Sequence, residues 1–215
     1  MINNVFEKIH AIGILPVIAL DEAAQAVPLA RALAAGGIPA AEVTFRTEAG
    51  EEAIRRIAQE VPEVLVGAGT VLTTEQVDHA VDAGAKFIVS PGTNAKVVYH
   101  CQELGVQPIP GAVTPTEIET ALEMDIDVLK FFPAEPSGGL SMIKALAAPY
   151  TQVKFIPTGG ISAANVGEYL KYPRVLACGG SWMVKKDLIN AGKFGEIQAL
   201  AAEAAAIMKS VREGK

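Results

Sequence analysis

The sequence has few cysteines, no long basic run and no long apolar run, which are the features of disulfide-rich, nucleic-acid-binding and membrane proteins. It has only two cysteines, Cys101 and Cys178, which lie far apart and in no metal-ligand or CxxC spacing, and this argues against a disulfide framework and a structural zinc site. No run of Lys and Arg interleaved with aromatic residues occurs, so nucleic acid is a poor candidate partner. The apolar run at 11–20 is too short to span a bilayer and contains Pro16. We therefore expect a cytoplasmic protein that binds neither nucleic acid nor a membrane.

The composition that remains is typical of one compact α/β protein. Half of the 215 residues are hydrophobic, and the 20 glycines and 13 prolines are spread along the chain. The 18 basic and 24 acidic residues give a formal net charge of −6, which still permits a local positive pocket for a small anion. This length suits one large core, so we predict a single domain that spans residues 1–215.

A repeated unit of apolar strand, helix and glycine organises the sequence. Eight strands are predicted, at about 14–20, 38–45, 64–68, 87–90, 106–110, 126–132, 153–157 and 175–178. Short continuous apolar strands that alternate with helices are typical of a parallel sheet, and eight units predict a (β/α)8 TIM barrel. The alternative is an open doubly wound sheet, which is disfavoured because no GxGxxG follows the first strand.

Helix starts and ends are predicted from capping residues and glycines. A lead-in helix is expected at about 2–10, an Ala-rich helix ends at the glycine pair 36–37, and a long helix is expected at about 195–211. The N-cap candidates are Asn3 or Asn4, Asp21, Thr73 or Thr74, Thr114 and Ser162. Thr114 has the stronger signal, because Pro115 and Glu117 complete a capping box.

Lys130 ends the apolar sixth strand and is the main candidate for chemistry. The two-residue period of a strand places its side chain on one face with Val128 and Phe132. Desolvation disfavours the charged form of lysine, and a neutral amine is the nucleophile that Schiff-base chemistry requires. The alternative is that the alkyl stem packs while the ammonium group reaches solvent.

The second strand places Glu42, Thr44 and Arg46 on one face by the same period. An inward Glu and Arg can be a purely structural ion pair. Beside an inward lysine, however, Glu42 becomes a candidate proton shuttle. Arg46 is suited to a substrate carboxylate through its planar fork.

Glycine pairs after the seventh and eighth strands indicate a phosphate site. Gly159 and Gly160 follow one strand, and Gly179 and Gly180 follow the other, where barrels frequently bind phosphate through backbone N–H groups. Each pair alone is more often a tight turn. The three histidines, at 10, 79 and 100, have no ligand-like spacing, so we expect neither a metal nor a cofactor.

Six motifs, in order along the chain, resemble those of the 2-keto-3-deoxy-6-phosphogluconate aldolase family, which also covers 4-hydroxy-2-oxoglutarate aldolase activity. They are EVTFR at 42–46, GAGT at 67–70, SPG at 90–92, KFFPA at 130–134, PTGG at 157–160 and GGSW at 179–182. The resemblance covers nearly the whole chain and is loose over the first 12 residues and the C-terminal tail. It implies a metal-independent class I aldolase, a homotrimer, that cleaves a phosphorylated 2-keto acid and releases pyruvate.

The resemblance also implies a role for individual residues. Lys130 is the Schiff-base lysine and Glu42 the general acid/base. It places Arg46 and Thr70 around the pyruvate carboxylate, and Gly160, Gly179, Gly180 and Ser181 around the phosphate. Further substrate-binding candidates, from their positions beside these residues, are Pro91, Phe132, Thr158 and Gly159. Thr158 is expected near C4, where it would distinguish epimers. The alternatives are the galactonate-epimer aldolase, a sugar-phosphate isomerase or epimerase, and a non-catalytic barrel that binds phosphorylated metabolites.

Overall fold

The computed structural model describes residues 4–213, in which short strands alternate with helices. The strands are β1 (Ile14–Ile18), β2 (Ala40–Thr44), β3 (Leu65–Gly69), β4 (Phe87–Val89), β5 (Gln107–Ile109), β6 (Val128–Phe131), β7 (Lys154–Pro157) and β8 (Cys178–Gly180). The helices are α1 (Asn4–Ile12), α2 (Ala26–Ala35), α3 (Gly50–Glu60), α4 (Thr74–Asp82), α5 (Ala95–Glu103), α6 (Pro115–Leu122), α7 (Gly139–Ala147), α8 (Val166–Lys171), α9 (Lys186–Asn190) and α10 (Phe194–Glu213). Seven of the eight strands are thus confirmed at their predicted positions, although several are shorter than predicted. The eighth was predicted at 175–178 but lies at Cys178–Gly180, because Gly179 and Gly180 pair with Leu15 and Pro16 of β1. These two glycines therefore belong to the strand and do not follow it.

The strands are parallel and form a curled sheet of a TIM-like α/β fold. Six of them pair in the order β5-β4-β3-β2-β1-β8, and β6 pairs with β7. Single parallel pairings join the two groups, between Gly111 and Lys130, between Phe155 and Val175, and between Thr158 and Gly179. Because all strands run in one direction, their C-terminal ends lie on the same side, where the site candidates were predicted.

The core has two layers because side chains alternate along each strand. Leu15 belongs to a cluster with residues such as Phe87 and Ile156, and Ile9 of α1 packs into the same cluster. Ile14 and Ile18, on the other face of β1, belong to the larger cluster that includes the helices. Helix α1 therefore packs against strand residues that face away from the helical layer, and the predicted lead-in helix is confirmed as an element.

Two predicted helix starts are confirmed by their hydrogen bonds. The Thr73 hydroxyl accepts a hydrogen bond from the backbone N–H of Gln76, so Thr73, and not Thr74, precedes α4. Thr114 accepts from the N–H of Glu117, whose carboxylate accepts from the N–H of Thr114 at 2.9 Å. This completes the predicted capping box.

Two other predicted caps are wrong. Asp21 caps no helix, because a 3₁₀ turn at Ala23–Gln25 comes before α2, and its carboxylate instead pairs with Lys186 at 2.7 Å. Ser162 does not cap α8 either. The helix begins four residues later, and the Asn165 side chain accepts a hydrogen bond from the N–H of Ser162 at 2.8 Å. The prediction for Asn3 or Asn4 concerns side chains outside those that the structure describes.

The long C-terminal helix α10 packs against α2 where α2 ends at a glycine. The C-terminus of α2 confirms the prediction that this helix ends at a glycine pair. Gly36 is the C-cap, and Gly37 has a φ of +85°. A methyl group at Gly36 would lie 2.7 Å from the carbonyl oxygen of Gln198 in α10. The absence of a side chain at this position therefore sets how closely the two helices approach. Within residues 4–213, no helix is long and apolar enough to cross a membrane.

We expect Gly36→Ala to lower the free energy of unfolding by about 1–3 kcal/mol, the cost of overpacking a close contact. The matched control is Gly195→Ala in the first turn of α10, where an added methyl group meets no atom within 4 Å. Urea denaturation of both variants measures the difference. Equal stability of the two variants would show that α2 and α10 can separate without cost.

Candidate active site

A cavity of about 260 Å³ lies at the C-terminal ends of the strands. Its walls are Val17, Arg46, Thr70, Pro91, Lys130, Phe132, Thr158, Gly159, Gly160, Ile161, Gly180 and Ser181. The structure thus brings together every predicted site residue except Glu42 and Gly179, which lie directly behind this wall. A larger cavity, of about 860 Å³, lies at the opposite end between α1 and the N-terminal ends of the strands, and it contains none of the predicted site residues.

Lys130 and Glu42 form a buried ion pair at the base of the smaller cavity. The Nζ atom of Lys130 lies 3.1 Å from Oε1 of Glu42, and the two residues are only 5% and 1% exposed. Since both groups are almost entirely removed from water, each is the other's main compensation for lost hydration. The alternative that the Lys130 ammonium group reaches solvent is therefore wrong. A carboxylate within hydrogen-bonding distance of the amine can also exchange protons with it.

Backbone pairing fixes where these two side chains start. The N–H of Lys130 donates to the carbonyl of Pro110, and its own carbonyl accepts from Ala112, both at 2.9 Å. Glu42 lies in β2 opposite Val17 and Gly67 on the neighbouring strands. Gly69 makes room for its carboxylate, because a methyl group there would lie 2.7 Å from Cγ of Glu42.

Arg46 lies two residues beyond the end of β2, in a turn, and is held by Thr44. Its Nε donates to the Thr44 hydroxyl at 3.2 Å, and that hydroxyl donates to the carbonyl of Ile18 at 2.8 Å. No carboxylate among residues 4–213 pairs with Arg46, so both terminal nitrogens of the guanidinium remain available to an anion. Thr70 has a φ of 58°, a left-handed value that β-branched residues rarely adopt and that is concentrated at functional sites.

At the other end of the cavity, backbone N–H groups point to an anion site. The N–H groups of Gly160, Ile161 and Ser181 donate to no group in the described part of the chain. Gly159 and Gly160 have φ values of 100° and 81°, which turn successive N–H groups toward one side. The Asn165 side chain holds this turn by donating to the carbonyl of Gly160 at 3.0 Å.

Thr158 lies between the two ends and is in close contact with Gly179. Thr158 is 6% exposed and pairs with Gly179 across β7 and β8. A methyl group at Gly179 would lie 3.2 Å from Cβ of Thr158, which explains why a glycine stands behind the wall at this point. Gly179 therefore supports the cavity without lining it.

The remaining walls are formed by loop residues. The ring centroid of Phe132 lies 5.2 Å from the Lys130 amine, close enough for a cation–π contact. Pro91 follows Ser90, whose buried hydroxyl donates to the carbonyl of Val71 at 2.8 Å and fixes the start of this loop. The part of the chain that the structure describes contains no group of three or more His, Cys, Asp or Glu side chains that could hold a metal ion.

Sequence reasoning missed several residues that shape the site. Val17 and Ile161 are apolar walls, and no local pattern distinguishes them from core residues. Thr44 was placed on the correct face by the strand period, but its bond to Arg46 depends on the turn that follows β2. Asn165 was hidden because the chain between β7 and α8 was predicted to be shorter.

Comparison with known proteins identifies the family. The family model of KDPG and KHG aldolases matches residues 5–200. The chain is 55% identical to a 2-dehydro-3-deoxy-phosphogluconate aldolase of Treponema pallidum, and the match covers 93% of this chain and 95% of that protein.

Two solved structures with ligands are similar to this fold. The KDPG aldolase of Legionella pneumophila, with pyruvate captured at low pH as a covalent carbinolamine intermediate, is 39% identical with a TM-score of 0.89, covering 92% of this chain and 96% of that one. The 2-keto-3-deoxy-6-phosphogluconate aldolase of Zymomonas mobilis with 3-phosphoglycerate is 39% identical with a TM-score of 0.88, covering 96% and 97%. The chain therefore belongs to the KDPG and KHG aldolase family.

Proposed function

We propose that this protein is a class I aldolase that cleaves 2-keto-3-deoxy-6-phosphogluconate to pyruvate and glyceraldehyde 3-phosphate. The same site would cleave 4-hydroxy-2-oxoglutarate to pyruvate and glyoxylate. The observation that carries the proposal is the buried amine of Lys130, 3.1 Å from the Glu42 carboxylate, at the base of a cavity. Similarity to a relative in which pyruvate was captured as a covalent carbinolamine supports the same chemistry.

In the proposed cycle, the Glu42 carboxylate first takes a proton from the Lys130 ammonium group. The neutral amine then attacks the C2 keto carbon, and a proton moves from the nitrogen to the new alkoxide to give a carbinolamine. Glu42 donates a proton to the departing hydroxyl, and loss of water leaves a protonated imine that can accept an electron pair. The Glu42 carboxylate then removes the proton of the C4 hydroxyl. The C3–C4 bond breaks, its electron pair moves into the imine to give an enamine, and the aldehyde leaves. Glu42 returns the proton to C3, and water releases pyruvate from Lys130.

Arg46 and Thr70 bind the substrate carboxylate in this proposal, with Pro91 and Phe132 as walls. Support comes from the free terminal nitrogens of Arg46, since a guanidinium fork matches a carboxylate in geometry and charge. Thr44 fixes the fork by accepting a hydrogen bond from Nε. A substrate held at its carboxylate presents its keto carbon to a positioned amine, which reduces the entropic cost of attack.

The phosphate is bound at the opposite end, by the N–H groups of Gly160, Ile161 and Ser181, with Gly159, Gly179 and Gly180 shaping the two loops. Unpaired backbone donors beside left-handed glycines are suited to a phosphate. The Zymomonas mobilis relative with 3-phosphoglycerate is consistent with a phosphorylated ligand in this family. Thr158 stands between the two ends and is proposed to bind the C4 hydroxyl.

The eight strands are proposed to form one closed (β/α)8 barrel that comprises the single domain 1–215. Two hydrogen bonds support closure beside β6 and β7: Ala112 donates to the carbonyl of Lys130, and Leu176 to that of Phe155, both at 2.9 Å. The strand order follows the chain throughout, whereas a doubly wound sheet reverses its order near the first strand. We also propose a cytoplasmic location, which suits two free, buried cysteines.

We expect borohydride reduction in the presence of pyruvate to attach one reduced pyruvate to Lys130, as shown by intact mass and peptide mapping. Lys130→Met should abolish both trapping and cleavage while the circular dichroism spectrum is unchanged. A sugar-phosphate isomerase, or a barrel that only binds phosphorylated metabolites, is not expected to form this adduct. Labelling at another lysine, or none in an active preparation, would contradict the assignment.

Glu42→Gln should keep the fold and reduce kcat by about 10²-fold or more, the usual contribution of one positioned acid/base group. The amide is close in shape to the carboxylate but cannot accept the protons that the cycle releases. Borohydride trapping should also slow. The matched control is Glu48→Gln, a change at an exposed carboxylate beyond the same strand. Wild-type kcat in Glu42→Gln would show that another group moves the protons.

We further propose that the chain assembles as a homotrimer, as the family resemblance implies. Leu72 and Tyr99 are 52% and 51% exposed, and the Asn94 side chain, at the start of the helix that carries Tyr99, donates to the Leu72 carbonyl. Large exposed apolar side chains that lie on two connected segments are typical of a protein–protein interface.

Light scattering should therefore give three times the chain mass of 22.5 kDa. Leu72→Asp should lower that mass, whereas Leu104→Asp, at the opposite end of the strands, should not. The mass of a single chain for the unsubstituted protein would exclude assembly.

A further inference from the structure

The loop after β6 and the loop after β7 are joined by hydrogen bonds next to the proposed phosphate site. The N–H of Ala134 donates to the carbonyl of Thr158 at 2.8 Å, and the N–H of Glu135 donates to that of Gly159 at 3.0 Å. The first loop immediately follows Lys130 and Phe132, and the second carries the unpaired N–H of Gly160. The two loops therefore form one wall of the cavity.

The Glu135 side chain extends this connection beyond the backbone. Its carboxylate accepts a hydrogen bond from the Tyr169 hydroxyl of α8. Its aliphatic stem lies against Gly160, because a methyl group at Gly160 would lie 2.6 Å from Cβ of Glu135. Tyr169 is 2% exposed, and burial, then the bond to Glu135, raises the pKa of its hydroxyl, so it remains a protonated donor.

An acidic side chain is unexpected beside a loop that binds an anion. Its charge opposes phosphate binding, so simple attraction cannot explain Glu135. Its bond to a buried tyrosine and its contact with Gly160 indicate a mechanical role instead. A loop whose glycines allow many backbone conformations needs such a support if its N–H groups are to be held in one arrangement.

We propose that Glu135 and Tyr169 are positioning residues that hold the 158–161 loop in the conformation that binds the substrate phosphate. This rests on the proposed aldolase function and deepens it. The pair acts on the phosphate end alone. The Lys130 backbone is held by Pro110 and Ala112, its amine contacts Glu42, and the Arg46 fork is held by Thr44, so none of these bonds involves Glu135 or Tyr169.

The test compares a phosphorylated substrate with its unphosphorylated analogue. Tyr169→Phe and Glu135→Ala should each raise KM for 2-keto-3-deoxy-6-phosphogluconate about ten-fold, as expected for loss of a hydrogen bond to a charged group. Inhibition by inorganic phosphate should weaken to the same extent. The kcat/KM for 2-keto-3-deoxygluconate and the rate of borohydride trapping with pyruvate should stay at the wild-type level.

Two control variants separate the effect of the hydrogen bond between Tyr169 and Glu135 from the effect of the Glu135 charge, and from a general loss of structure. Glu135→Gln keeps an acceptor for Tyr169 but removes the charge, so it should keep or lower the wild-type KM. Tyr172→Phe alters a second tyrosine, at the end of the same helix, whose hydroxyl donates to no group within residues 4–213. It should change nothing.

Three outcomes would overturn the inference. They are a wild-type KM in both Tyr169→Phe and Glu135→Ala, equal losses on both substrates, or a ten-fold rise in KM for Glu135→Gln, which would assign the effect to the charge. Glu135→Ala changes an exposed residue, so it tests the inference even where Tyr169→Phe fails to fold. Failure of the unsubstituted enzyme to trap pyruvate would instead reject the aldolase function, and the inference with it.

Discussion

The ion pair between Lys130 and Glu42 is the interaction on which the site is built. Two opposite charges lie 3.1 Å apart with almost no access to water. Removal of one partner from such a pair leaves the other uncompensated, at a cost of about 3–5 kcal/mol. The surrounding residues accommodate both groups: Gly69 leaves space for the carboxylate, and the Phe132 ring lies beside the amine. The pair that we propose for the chemistry thus also constrains the packing of β2, β3 and β6.

In the proposed function, the two ends of the cavity bind an anion by different physical means. At one end Arg46 offers a full positive charge in a planar fork, which Thr44 holds. At the other end the described donors are the unpaired backbone N–H groups of Gly160, Ile161 and Ser181. This difference gives an elongated substrate with an anion at each end a preferred direction. Local donors of this kind would let a protein of net charge −6 bind the acidic metabolite that we propose.

Most of the fold could be predicted from the sequence because strand and helix signals are local. Continuous apolar runs located seven of the eight strands, and the eighth was misplaced because its last two residues are glycines. The capping box at Thr114 was found because its partners lie three residues apart. The caps at Asp21 and Ser162 failed for a tertiary reason: the first side chain is engaged by Lys186, far along the chain, and the second lies before a longer loop. Similarly, the strand period located Lys130 and Glu42, whereas Glu135 and Tyr169 meet only after the loops fold.

If the proposed phosphate end is built from main-chain N–H groups, this has a consequence for how such enzymes change specificity. Every non-proline residue carries the same N–H group, so substitution of a side chain at 159–161 by another that is not proline leaves the number of backbone donors unchanged. Altered preference for the group at that end must then come from altered loop shape. Insertions, deletions and exchange of the left-handed glycines are the available routes, and these alter several donors at once. A change of aldehyde specificity would therefore require a change in loop conformation at this end, whereas single side-chain substitutions can adjust binding around Arg46.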